Sequence, residues 1–128
     1  MRFLLVALMI TVMPAVKPAG AVSKKVIAPV NTTFALFWPK FREAVAKDDR
    51  EAVASMTKLP FLLEGRELNR DGFIKRYQQL FDRKVKRCFA KGQTVRDGDS
   101  YSLFCGETIF LFGKDKREYK FLEIGVND

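Results

Sequence analysis

The stretch Thr33–Lys47, TFALFWPKFREAVAK, constrains this chain more than any other. Phe34, Phe37, Trp38, Phe41 and Val45 fall at i, i+3, i+4, i+7 and i+11. On a helix that spacing lines four aromatic rings and a valine along one side, with Lys40, Arg42, Glu43 and Lys47 opposite. A stripe of rings this dense has to be covered. The chain supplies a cover in its last third, where the apolar period changes from 3.6 to 2. Pro39 removes a backbone donor and crowds the carbonyl of Ala35, so the helix is expected to kink there or to begin in earnest there.

The first 21 residues read as a secretory signal. Arg2 is a short positive region, Phe3–Met13 is an almost unbroken apolar run, and Ala19-Gly20-Ala21 is a small-x-small cleavage pattern, placing the cut after Ala21. The apolar run is too short to cross about 30 Å of hydrocarbon, and Pro14 and Lys17 interrupt it, so no transmembrane segment is expected to remain after cleavage. Residues 22–32 form a short N-terminal arm, and residues 33–128 a single α+β domain with one core. Taking Arg2 and Lys17 from the 23 basic residues leaves 21 against 15 acidic ones, a net charge of +6 on the mature chain. A basic exported protein is drawn to anionic lipid, acidic glycan or an acidic protein. Nucleic acid is excluded by compartment.

Cys88 and Cys105 are the only cysteines. In an oxidising compartment, an even pair without metal-ligand spacing reads as one disulfide, the alternative being two buried thiols. Asn31-Thr32-Thr33 matches a glycosylation acceptor, although a helix N-cap explains those residues as well.

Asp48-Asp49-Arg50-Glu51 restarts a helix, with Asp48 as cap and Glu51 at the reciprocal position. Val53 and Met56 face inward, and Leu59-Pro60 ends the element. Phe61-Leu62-Leu63 is a short strand and Glu64-Gly65-Arg66 its turn. Asn69 caps a helix whose apolar positions run from Phe73 to Phe89, broken near Asp82–Lys84 where Lys84 spoils the register. Gly92 suits a left-handed C-cap. Asp97-Gly98 is a tight-turn pair, and Tyr101–Cys105, Thr108–Phe112 and Glu118–Val126 are antiparallel strands. Gly106-Glu107 reads either as a hairpin turn or as a bulge, and Gly113–Lys116 as a turn. An even loop there puts Phe110, Phe112, Tyr119 and Phe121 on one face, and Ile109, Leu111, Leu122 and Ile124 on the other. One face packs on the helices; the other needs a second cover, either a different helix or another copy of the chain.

A kinked aromatic helix, a capped short helix ending in Leu-Pro-Phe, the helix GFIKRYQQLF and a C-terminal antiparallel meander together resemble the nuclear transport factor two-like superfamily, in particular its small secreted bacterial members. The resemblance implies helices packed in a curved, cone-like antiparallel sheet. It also implies a pocket for a small apolar or amphipathic ligand and a homodimer through the sheet. Pocket candidates on that reading are Trp38, Phe41, Tyr77, Phe81, Tyr101 and Phe110. Enzymes of the superfamily (isomerases, dehydratases, cyclases) place Asp, His or Tyr inside the cone.

This chain has no histidine. The usual proton carrier at neutral pH is therefore missing, and so is any His-based metal site. A tyrosine with a carboxylate, Tyr77 or Tyr101 with Glu123, is the remaining acid–base arrangement. Cys88 lacks an activating base beyond Arg87 or a lysine. No catalytic residue, cofactor or metal ligand is assigned. The densest charge feature is Lys75, Arg76, Arg83, Lys84, Lys86 and Arg87, followed by Lys91: either a dock for an anionic surface or a solvated helix face. The function these observations imply is an exported, non-catalytic binding domain. Its alternatives are a cone-fold enzyme without histidine and an envelope accessory protein acting through its basic helix.

Overall fold

A computed structural model of the chain describes residues 31–126. The expected signal and most of the N-terminal arm lie outside those residues. Among the described residues the fold is α+β, with four helices, a two-stranded antiparallel sheet and a four-stranded antiparallel meander in the order β3-β4-β5-β6.

Helix α1 spans Phe34–Ala46 and runs through Pro39 without interruption, its start capped by Thr33, whose hydroxyl accepts from the Leu36 amide. Thr33 is thus the cap among the three acceptor-motif residues, and Asn31 is buried. The Asn31 carbonyl accepts from the Tyr119 amide, which ties the end of the arm to β6.

Helix α2, Arg50–Ser55, is capped by Asp49 and not by Asp48. The Asp49 carboxylate accepts from the Ala52 amide. Asp48 takes a left-handed conformation (φ 53°) that ends α1 and turns its side chain to another task.

Strand β1, Phe61–Leu63, pairs with β2, Arg66–Leu68, across Glu64 and Gly65, both at positive φ. The sequence pattern does not reveal β2, because two of its three residues are exposed charges. Asn69 caps α3, Arg70–Leu80, and Asp82 caps α4, Arg83–Lys91, so the helix breaks where Lys84 spoils the register.

Gly92 follows α4 with φ −71°, not the left-handed value expected. Glycine is required there for space: a Cβ would lie 2.6 Å from both the Cys88 carbonyl oxygen and Leu103 Cδ1.

Strands β3 (Val95–Asp97), β4 (Ser100–Cys105), β5 (Thr108–Asp115) and β6 (Glu118–Val126) follow. Cys105 pairs with Thr108, so Gly106-Glu107 is a two-residue turn, with Gly106 at φ 65° as such turns demand. The next turn is shorter than expected. β5 continues through Gly113 to Asp115, and only Lys116-Arg117 form the loop.

The inner face carries Phe110, Phe112, Tyr119 and Phe121, all buried as the alternation predicts. The outer face carries Ile109, Leu111 and Leu122. Ile124 differs. The register shifts at Leu111/Phe112, so that Leu111 faces Glu123 and Phe112 faces Phe121. The extra residue returns Ile124 to the parity of Phe110, and it packs against the core.

The α1 rings lie on this inner face. Phe34 stacks on Tyr101 with centroids 3.6 Å apart, and Trp38 meets Phe112 edge-on. The free side of β6 is covered near Phe121 by residues 56–58: the Phe121 amide donates to Met56, and Lys58 donates to the Phe121 carbonyl. α4 is joined to the end of β4 by the Cys88–Cys105 disulfide.

Candidate functional site

The six ring residues that sequence reasoning placed in a pocket fall into two groups. Phe41, Tyr77, Phe81 and Phe110 are sealed in the core, each fully buried. Their neighbours are other rings. Phe41 lies 5.3 Å from both Phe37 and Phe112 and 5.8 Å from Phe121; Phe81 lies 5.7 Å from both Phe89 and Phe110. Ring centroids at such separations are in ordinary packing contact. Trp38 and Tyr101 are half-buried at the rim of the cluster. None of the six lines any of the four described surface concavities.

Tyr77 is held from two sides. Its hydroxyl lies 3.2 Å from Asp48 Oδ1 and 3.4 Å from the Val45 carbonyl, and the Arg50 guanidinium sits 5.4 Å from the ring centre. Burial first, and the Asp48 charge second, push the phenol well above its ordinary value, so it stays protonated as a donor. Tyr101 lies on the inner face opposite Phe112, whereas Glu123 lies opposite Leu111 on the outer face. The sheet does not bring those two together.

Asp48 is the hub of a polar clasp. Its second carboxylate oxygen accepts from Lys86 Nζ at 2.9 Å, so one side chain in the α1–α2 connection binds α3 through Tyr77 and α4 through Lys86. The Lys86 hydrogen bond, followed by that from Tyr77, holds the Asp48 carboxyl below its ordinary value against the opposing effect of desolvation. A depressed carboxylate stabilises the fold above the unfolded-state pKa of about 3.9, and loses that contribution as pH falls through the lower folded value. Because the pair is about one-third exposed, solvent screening limits it to about 0.5–1 kcal/mol. Asp48→Asn, which tolerates the same positive φ, is expected to lower stability by that amount at neutral pH. The deficit should shrink as pH falls below the unfolded-state value of about 3.9, as chemical denaturation of both proteins across the acid range would show.

The six basic candidates also divide. Lys86 is engaged by Asp48, and Arg76 donates to Gln79 while lining a small hollow beside β1 and β2. Lys75 lies exposed on α3. Arg83, Lys84 and Arg87 are exposed on α4, and so is Lys91. At helical spacing, Arg83, Arg87 and Lys91 sit one above the next, with Lys84 beside them. No salt bridge involves these four among the described residues.

The largest of these four concavities, roughly 680 Å³, meets the stripe at Lys84 and is shared by Val85, Phe104, the disulfide and the acids Asp82 and Glu107. Phe104 is 49% exposed and Val95 55% exposed. Sequence reasoning missed both, although the alternation that buries Leu103 already sends Phe104 to the other face.

Among the described residues no group of three or more His, Cys, Asp or Glu side chains is placed to hold a metal ion. No described helix is long and apolar enough to cross a membrane. No family model, no curated protein and no solved structure matches this chain.

Proposed function

We propose that this chain is an exported, non-catalytic binding domain that works through its surface and not through an interior cavity. The observation that carries this reading is the closure of the ring cluster. Phe41, Tyr77, Phe81 and Phe110, where a cone-fold ligand would sit, touch other rings and line none of the four described concavities. Export is supported by the Cys88–Cys105 bridge and by the leader-like first 21 residues. On this reading the domain is a cone-like member of the nuclear transport factor two-like superfamily whose cone is filled by its own side chains.

A thermal-shift titration with amphipathic small molecules tests it. A ligand bound only by the native state raises the midpoint in proportion to the logarithm of its concentration. No such rise is expected. A rise that vanishes in Phe110→Leu would instead support the interior-ligand reading. Turnover of any substrate abolished by Tyr77→Phe or Tyr101→Phe would support the enzyme alternative.

A homodimer through the sheet is the second partner reading. It is favoured by the outer-face row Ile109, Leu111 and Leu122, each only partly buried. Sedimentation of the wild type and of Leu111→Lys distinguishes the cases. A dimer lost in the variant supports the sheet interface, and a wild-type monomer at all concentrations removes it.

A further inference from the structure

We infer that the α4 stripe of Arg83, Lys84, Arg87 and Lys91, with Phe104 at its border, is a docking face for an anionic phospholipid bilayer. This rests on the surface-binding reading above and names the partner. The first argument is a set of like charges left without a salt-bridge partner among the described residues. Arg83 and Lys84 occupy the first turn of α4, where the helix dipole disfavours cations. Arg83 and Arg87 repel across one turn, and Arg87 and Lys91 across the next. No carboxylate within salt-bridge distance relieves any of the four among the described residues. Asp82, the N-cap, accepts from the Val85 amide through one carboxylate oxygen and forms no salt bridge with the stripe. Uncompensated conflict of this kind is what a functional surface shows.

The second argument is rigidity. α4 is anchored by the disulfide to β4, by Phe89 in the core, by Lys86 on Asp48, and by Arg42, whose guanidinium donates to the Ala90 carbonyl at 2.7 Å. The four cations are therefore presented on a fixed face.

The third is the neighbouring apolar group. Phe104 and Lys84 line one concavity, together with Asp82 and Glu107, so an accessible aromatic side chain borders the stripe at its Lys84 end. Cations at the phosphate level with an aromatic reaching below it is the arrangement of a peripheral membrane contact. An acidic protein would satisfy the charges but would give the ring no apolar phase.

The test is co-sedimentation of the mature protein with vesicles of phosphatidylglycerol and phosphatidylcholine, against vesicles of phosphatidylcholine alone. Binding is expected only to the anionic vesicles and should fall steeply with salt. Each cation neutralised should weaken the partition about fivefold, so Arg87→Gln/Lys91→Gln loses roughly 25-fold. Lys40→Gln/Arg66→Gln, exposed cations away from α4, should lose less than the stripe variant by a wide margin. Phe104→Ser should weaken the binding that survives at high salt. Thermal melting confirms that each variant is folded.

Equal losses in the stripe and control variants would overturn the inference in favour of net charge alone. Full displacement by soluble polyglutamate with no effect of Phe104→Ser would overturn it in favour of an acidic protein. Failure to bind the anionic vesicles overturns the inference and leaves the surface reading standing, because that reading fails on an interior ligand or on turnover.

Discussion

Phe41→Ala is expected to lower the unfolding free energy by about 3–5 kcal/mol. Phe41 is fully buried, and its ring is within 6.2 Å of those of Phe37, Phe81, Phe89, Phe112 and Phe121. Truncation removes contacts from α1, from α4, from the α3–α4 junction and from two strands at once. The hole cannot collapse easily, because its walls belong to four separate elements. Small domains have only about 5–15 kcal/mol in total, so the variant should be close to unfolding. Guanidinium denaturation reads the loss directly. A loss below about 1 kcal/mol would mean that the ring borders open space, and the filled interior would be wrong.

The second large effect is loss of the disulfide. Cys88→Ala/Cys105→Ala is expected to cost about 3 kcal/mol, the loop-closure value for a bridge of this span. The sequence separation is 17 residues. For a domain near this size, that lowers the thermal midpoint by roughly 12 to 24 °C. The local consequence should exceed the global one. α4 contributes a single fully buried side chain, Phe89, and carries mutually repelling cations, so it depends on the bridge more than the other helices do. Amide exchange in α4 should accelerate first. Equal melting of the variant and the wild type would contradict this, and so would unchanged exchange in α4.

Much of the fold could be read from local pattern. The ring spacing announces α1, Asn69 announces the start of α3, and the switch to period 2 announces the meander. What could not be read is where one extra residue enters a strand. Leu122 carries no mark of a bulge, yet the shift beside it moves Ile124 from the outer face to the core. The choice between Asp48 and Asp49 as cap was hidden for a different reason. Asp48 is drawn away by Tyr77 and Lys86, 29 and 38 residues further on, and no local window contains that competition.

The candidate site divides in the same way. Charge spacing along α4 was legible, because helical geometry alone stacks Arg83, Arg87 and Lys91. Whether the rings enclose a cavity or fill it depends on summed side-chain volume against the space between layers. A pattern of apolar positions says nothing about that sum.

The claim on which the rest depends is that the aromatic interior is occupied by the protein's own rings, leaving the surface to bind. Native mass spectrometry of the mature protein, purified from its own host without denaturation, tests it most directly. The account predicts the mass of the bare polypeptide with one disulfide. A small organic molecule retained at one equivalent per chain, and released only on unfolding, would contradict it.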